Sequence, residues 1–387
     1  VLAAGKAAAS MALAVERNWP AGASLEGIAL TRYGHGLPTR RIRVIEAGHP
    51  VPDEAGELAA HEMLAAARAL GPNDLLLALL SGGGSALLSI PAEGVSMGDL
   101  KAVTRELLRC GAAIQEINTV RKHLSAIQGG RLAAATRARV LALIVSDVTG
   151  DGPTHIASGP CAPDPTTFAD ALAVLRRYAV EPPPAIRRRL EDGARGALAE
   201  TPKPGDAIFA RVENRIIATA RRSLEAAASV LEKAGIAPHI VGDAITGEAR
   251  EVAKGMAAEV RKVRARGGPI KPPLALISGG ECTVTVRSQT GRGGRCAEFL
   301  LALGVELAGE KDIWAIAADT DGIDGSEDNA GALLAPDSLA RARAQGLEAA
   351  KLLEANDSWS FFSGIGDLLV TGPTRTNVNE YRCILVL

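Results

Sequence analysis

The chain has 387 residues, of which 47% are hydrophobic and 3% aromatic. That length exceeds the usual single core, so two domains are expected, and the apolar content excludes a disordered chain. Forty-three Lys and Arg against forty-four Asp and Glu leave a net charge of −1, which gives no broad attraction for nucleic acid or an anionic membrane.

The apolar residues are mainly Ala, Leu, Val and Ile, a mix that suits buried parallel strands beneath Ala-rich helices. Five cysteines (Cys110, Cys161, Cys282, Cys296, Cys383) lie far apart without metal spacing. They fit a reducing, cytoplasmic setting better than a disulfide framework. No signal peptide or bilayer-length apolar run is evident. Residues 1–4 read as the end of a strand, so a further segment is expected to precede Val1.

In chain order, strands are expected at residues 1–4, 41–46, 74–80 and 140–146. They continue at 215–218, 238–241, 273–277, 283–286, 313–318 and 383–387. Between them, amphipathic patterns predict helices at 53–70, 98–111, 221–233, 247–266 and 298–308, with Ser96 and Asp99 as a capping box. This alternation predicts two α/β/α domains with mostly parallel sheets. The junction is placed at 181–206, which opens with Pro182, Pro183 and Pro184, giving domains 1–206 and 207–387. Its arginine-rich middle, 187–195, could be a short exposed helix. A second break is expected at 264–273, rich in Gly and Pro.

The stretch LALLSGG at 77–83 recurs almost unchanged as LALISGG at 274–280. Two anion-facing loops of one design, or a chance likeness of apolar strands ending in glycine, would each explain it. Lys6, at a strand-to-helix turn among small residues, is placed to meet a phosphate or is a plain surface lysine. In the first loop, Ser81, Gly82, Gly83, Gly84 and Ser85 let backbone N–H groups and hydroxyls converge on phosphate. A flexible turn is the alternative. Arg121, Lys122 and His123 cluster within 118–125, where they could face a carboxylate or form an exposed helical face.

Asp147 and Asp151 follow the strand at 140–146. Carboxylates at the carboxyl end of a buried strand face the crevice where α/β enzymes bind ligands. They could accept a hydroxyl proton or hold a metal, or simply close an Asx turn. The second loop combines Ser278, Gly279, Gly280 and Glu281 with Gly291, Arg292, Gly293, Gly294 and Arg295 before a helix. Guanidinium groups and a helix N-terminus together make an anion site, unless this is a solvated turn. Asp319, Asp321 and Asp324 crowd one strand end and suit Mg²⁺, although Ile323 and Ala330 break the calcium-loop pattern. Loops, cations and carboxylates at strand ends are the inventory of phosphoryl transfer.

At these residues the sequence resembles the glycerate 2-kinase family, whose C-terminal part is the MOFRL domain. The likeness runs through AGKAAASM (4–11), AGHPVPDEAG (47–56), SGGGSAL (81–87), NTVRKHLS (118–125) and SDVTGDGPTHIASGP (146–160). It continues through residues 277–281, 291–299, AADTDGIDGSEDNAG (317–331) and TGPTRTNVN (371–379). The resemblance implies a Rossmann-like N-terminal domain and a smaller MOFRL-type C-terminal domain. It also implies ATP- and Mg²⁺-dependent phosphorylation of D-glycerate at its 2-hydroxyl, in the cleft between the domains. The family's catalytic lysine, aspartate and arginine fall on Lys6, Asp147 and Arg295. The chain departs from the pattern at Cys296 and Ala297, where Asn-Gln is expected, and at Gln128, where Lys is expected.

Two other readings remain. Family members are also labelled hydroxypyruvate reductases, but no GxGxxG fingerprint appears in any glycine loop. A non-catalytic sugar-phosphate sensor would have little need of Asp147 or the acidic run. Small-molecule partners are expected, with neither nucleic acid nor membrane, and a homo-oligomer is left open.

Overall fold

A computed structural model describes residues 1–265, 272–288 and 290–387. They form two compact units, Val1–Ile217 and Ala218–Leu387.

The first unit is built on a six-stranded sheet whose order is β3-β2-β1-β4-β5-β6. The strands are β1 (Leu2–Ala4), β2 (Gly27–Arg32), β3 (Ile42–Ala47), β4 (Leu75–Leu80), β5 (Arg139–Val145) and β6 (Val212–Ala218). Its helices are α1 (Ala8–Asn18), α2 (Glu54–Ala69), α3 (Gly84–Leu87), α4 (Met97–Arg109), α5 (Ile114–His123), α6 (Arg131–Ala135), α7 (Phe168–Arg177) and α8 (Pro184–Ala194). The pairings β3–β2, β2–β1, β1–β4 and β4–β5 are all parallel. Parallel strands place every strand's carboxyl end on one edge. Because the chain winds outward in opposite directions from β1 and β4, a crevice opens between those two strand ends.

Alternating side chains explain the layers. Leu76, Ala78 and Leu80 of β4 pack with α2 on one face, while Leu77 and Leu79 pack with Ala8 and Ala12 of α1 on the other. The helices α4, α5, α7 and α8 close a separate cluster around Leu107, Ile117, Phe168 and Leu190. The start of α4 is held by the expected capping box: Ser96 Oγ accepts from the Asp99 N–H at 3.0 Å, and the Asp99 carboxylate accepts from the Ser96 N–H.

The second sheet has the order β11-β10-β9-β12-β8-β7. Its strands are β7 (Ala237–Glu248), β8 (Leu274–Thr283), β9 (Ile313–Asp319), β10 (Gly331–Leu334), β11 (Leu368–Leu369) and β12 (Glu380–Val386). The helices are α9 (Ala220–Lys233), α10 (Ala249–Arg264), α11 (Arg295–Leu307), α12 (Ser338–Ala344), α13 (Ala349–Glu354) and α14 (Ser358–Ile365). Leu274 and Leu276 of β8 pack with α10 and α11, and Ala275 and Ile277 pack with Leu224 of α9.

The α/β architecture agrees with the sequence, but mostly parallel strands hold for the first sheet only. In the second, β7–β8 is parallel, whereas β8–β12, β12–β9, β9–β10 and β10–β11 are antiparallel. The strand expected at 215–218 is β6, an edge of the first sheet. The strands expected at 273–277 and 283–286 reduce to a single β8, and 284–288 is irregular. Of the break expected at 264–273, residues 266–271 lie outside the described residues. Among the described residues, no helix is long and apolar enough to cross a membrane.

Candidate active site

In the first unit, the turns after β1 and β4 clasp one another across the crevice. Ser81 N–H donates to the Ala4 carbonyl at 3.1 Å, Lys6 N–H donates to the Gly82 carbonyl at 2.8 Å, and Ala7 N–H donates to Ser81 Oγ at 3.0 Å. Gly5 has φ +124°, and a Cβ there would lie 2.2 Å from Ser81 Oγ. Only glycine permits that approach. Gly83, with φ +83°, packs beside both the Lys6 side chain and His49. Lys6, His49 and the loop from Ser81 to Ser85 are therefore brought together, a juxtaposition that the sequence reading did not predict. The loop is short and leads at once into α3, so it is a shaped turn rather than a flexible one.

Ser85 Oγ is 2.8 Å from Ser158 Oγ, which bonds Asn118 Oδ1 at 3.2 Å. Gln128 donates both amide hydrogens to the carbonyls of Ser85 and Leu88, each at 2.9 Å. The loop is thus supported by side chains from α5 and from two later segments. Asp147, half-buried, follows β5 on the same sheet edge. With one strand (β4) between β1 and β5, the ends of those two strands stand about 10 Å apart. Asp151 lies farther along the loop with φ +53°.

The cluster at 121–123 divides. Lys122 is fully buried against Asp164 at 2.6 Å, and burial lowers its pKa despite that carboxylate. His123 is buried, with Nδ1 2.8 Å from the Thr119 carbonyl. Only Arg121 keeps a face toward solvent. An exposed helical face is therefore overturned for Lys122 and His123, whose side chains fill the interior of the α5–α7 region.

In the second unit, Arg295 is the first residue of α11. Its guanidinium meets Glu281 at 2.6 Å, Asp319 at 2.9 Å and Glu380 at 3.3 Å. Burial alone would lower its pKa, but Glu380, Glu281 and Asp319 outweigh it and raise it. Glu380 also accepts from the Cys282 N–H at 2.9 Å and pairs with the buried Arg382 at 3.2 Å. No sequence signal pointed to Glu380; the antiparallel register of β12 with β8 and β9 brings it there.

Three parts of the second anion loop depart from expectation. Ser278, Gly279, Gly280 and Glu281 are not a loop but the body of β8, with backbone committed to β12 and β7. Only the Glu281 side chain reaches Arg295. Arg292 stacks on Trp359, 3.6 Å from the ring centroid, and pairs with Glu327 at 2.8 Å. The N-terminus of α11 is already filled. Asp324 accepts from the Cys296 N–H at 2.9 Å and the Ala297 N–H at 2.8 Å, and burial raises its pKa to about 7. Gly294 allows this, because a Cβ there would collide with Asp324 at 2.3 Å.

Among the described residues, no three His, Cys, Asp or Glu side chains converge as a metal cage. Asp319 Oδ1 accepts from the Asp321 N–H and Asp321 Oδ1 from the Ile323 N–H, so these two serve the local turn, while Asp324 caps α11. Glu298 points inward to Arg250 and Asn356.

A switch-point crevice with a cation beside a glycine turn is where α/β enzymes bind ligands, and the second α/β unit carries an arginine–carboxylate cluster. The comparisons give the family. Residues 1–191 match DUF4147, a domain of unknown function, and residues 274–380 match the MOFRL family. A protein from Agrobacterium vitis, provisionally named a hydroxypyruvate reductase, is 52% identical over the whole chain and 86% of its own length. The glycerate 2-kinase of Pyrococcus horikoshii is 41% identical over the whole chain and 87% of its own length. The crystal structure of glycerate kinase from Thermotoga maritima superposes with a TM-score of 0.88 at 39% identity, covering all of this chain and 91% of that one. The chain belongs to the MOFRL-containing glycerate kinase family.

Proposed function

We propose that this protein phosphorylates D-glycerate at its 2-hydroxyl with ATP, giving 2-phosphoglycerate. The observation that carries the reading is the clasp of Lys6 and the Ser81–Ser85 turn at the switch point between β1 and β4. There, Lys6 would neutralise charge on the transferring phosphoryl group, as phosphoryl transfer requires. Asp147, on the same sheet edge, would orient the acceptor hydroxyl and take its proton. Arg295 would add a second cation.

Mg²⁺ is met by one or two carboxylates plus phosphate oxygens. Asp319 and Glu281, which the Arg295 guanidinium holds in this structure, would meet that demand once Arg295 turns to the phosphates, whereas Asp324 would not, since both its oxygens accept backbone N–H groups. The ion would supply charge neutralisation between the phosphates.

A coupled ADP-release assay with D-glycerate, ATP and Mg²⁺, with the product isomer identified by NMR, tests the reading. Formation of 2-phosphoglycerate is expected, with turnover at least about tenfold lower in Lys6→Ala and Asp147→Ala. Consumption of NAD(P)H on hydroxypyruvate without ADP release would replace the reading with the reductase one that some relatives' names carry.

A further inference from the structure

Beside the Ser81–Ser85 turn lies a second pocket of about 170 Å³, wholly within the first unit. Ser85, Ser89, Gln128 and Arg121 line it beside apolar Leu100, Leu108 and Pro50, and Lys101 and Arg105 of α4 line it too. No carboxylate lines it. None of Lys101, Arg105 and Arg121 has a hydrogen-bond or ion-pair partner among the described residues. That contrasts with Lys122, one residue along, which is matched to Asp164.

Arg121 is the unusual member. Burial alone pulls its pKa down to about 10. A half-buried cation that faces a pocket without a counter-charge is placed to pair with an anionic ligand there. The apolar walls strengthen whatever ion pair forms against it. Gln128 adds a second element. Both of its amide hydrogens are held by the Ser85 and Leu88 carbonyls, which leaves its Oε1 as an acceptor at the pocket wall. A guanidinium for a carboxylate and an amide oxygen for a hydroxyl match the two ends of a small hydroxy acid. The volume falls below the 300 Å³ or so at which pockets begin to take drug-sized ligands, and so is small for a nucleotide.

We infer that this pocket is the acceptor subsite, in which Arg121 binds the carboxylate of a small hydroxy acid and Gln128 Oε1 accepts from one of its hydroxyls. The assignment rests on the kinase reading only for its place in the reaction. The residue that selects an acid over a neutral polyol is Arg121, while Lys101 and Arg105 draw anions toward the mouth.

The test is calorimetric titration of wild type, Arg121→Gln and Arg121→Lys with D-glycerate, glycerol and ADP, beside the ADP-release assay. D-Glycerate should bind about tenfold or more weaker to Arg121→Gln, the loss of one charge-assisted contact. Arg121→Lys should recover part of it, glycerol should bind no wild-type site measurably, and ADP should bind all three alike. Arg121→Gln should unfold at no lower temperature than wild type, because it removes a half-buried charge that makes no ion pair. Should it fail to fold, the Arg121→Lys titrations decide the matter alone. Unchanged D-glycerate affinity would overturn the inference, and weakened ADP binding in its place would show that the pocket takes phosphate. Arg121-dependent acid binding without ADP release would sink the kinase reading and leave the subsite standing; ADP release with an unchanged KM for D-glycerate would do the reverse.

Discussion

Gly5 and Ser81 are in contact so close that no side chain fits between them: a Cβ on Gly5 would stand 2.2 Å from the Ser81 hydroxyl oxygen and 2.5 Å from its carbonyl oxygen. The backbone of Gly5 also sits at φ +124°, where L side chains are strained. Gly5→Ala should therefore cost about 2–4 kcal/mol, combining overpacking with backbone strain. Denaturant unfolding checks the stability. Turnover should fall as well, because the same contact fixes Lys6 against Gly82. An Ala variant as stable and active as wild type would remove the clasp as the centre of the site.

How far this site is legible in the sequence depends on distance along the chain. Apolar runs ending in glycine or serine mark β1, β4 and β5, so Lys6, the Ser81–Ser85 turn and Asp147 are found at strand ends as expected. The same rule fails at Gly279 and Gly280. There, antiparallel bonding to Tyr381 and Glu380 of β12 carries the strand through both glycines, and no local signal announces that partner. β2 is missing from the expected strands because its run, GIALTR, is short and its apolar residues stop at Leu30, even though Gly34 turns the chain just beyond it. Likewise, a helix start rich in glycine reads as an anion site, yet which anion fills it is a tertiary fact. Asp324 folds back onto α11 and fills it from within.

Lys122 and Asp164 form an ion pair with no exposed side-chain surface on either member. Asp164 also accepts from the backbone and hydroxyl of Thr166 at 3.0 and 2.7 Å. Removing one partner leaves the other charge buried and unpaired. Asp164→Ala should destabilise the protein by about 3–5 kcal/mol. The double variant Lys122→Met with Asp164→Leu should recover a large part, since neither desolvated charge remains. Chemical denaturation of the two variants and wild type decides it. Equal loss in single and double variants would mean that packing around Thr166, not charge, sets the cost.

Burial raises the Asp324 pKa from 3.8 to about 7, although two backbone N–H groups favour its ionised form. An acid with a raised folded pKa holds more protons folded than unfolded between those values. Stability from that proton is complete below 3.8 and is lost as pH rises toward 7. The slope from this one group is at most about 1.4 kcal/mol per pH unit. Asp324→Asn stays neutral throughout, so its stability should fall less steeply than wild type's between about pH 5 and pH 7. Parallel curves for the two proteins would mean that Asp324 is ionised across the range.

Arg295 has two duties that an alanine variant would confound. It neutralises Asp319 and Glu380, both buried, as well as the exposed Glu281. Arg295→Ala leaves two buried carboxylates with less cation between them, Arg382 alone remaining beside Glu380. A cost of about 2–4 kcal/mol is expected, at or below the usual price of breaking a buried pair because Arg295 is partly exposed. Turnover would then fall for a structural reason as much as a chemical one. Arg295→Lys separates the two: an ammonium keeps the charge but cannot span three carboxylates as a planar fork does. We expect Arg295→Lys to restore most of the unfolding temperature while turnover stays at least about tenfold below wild type, the mark of a guanidinium needed in the transition state. Wild-type turnover in a folded Arg295→Lys protein would confine the residue to charge balance and leave Lys6 as the cation that meets the phosphoryl group.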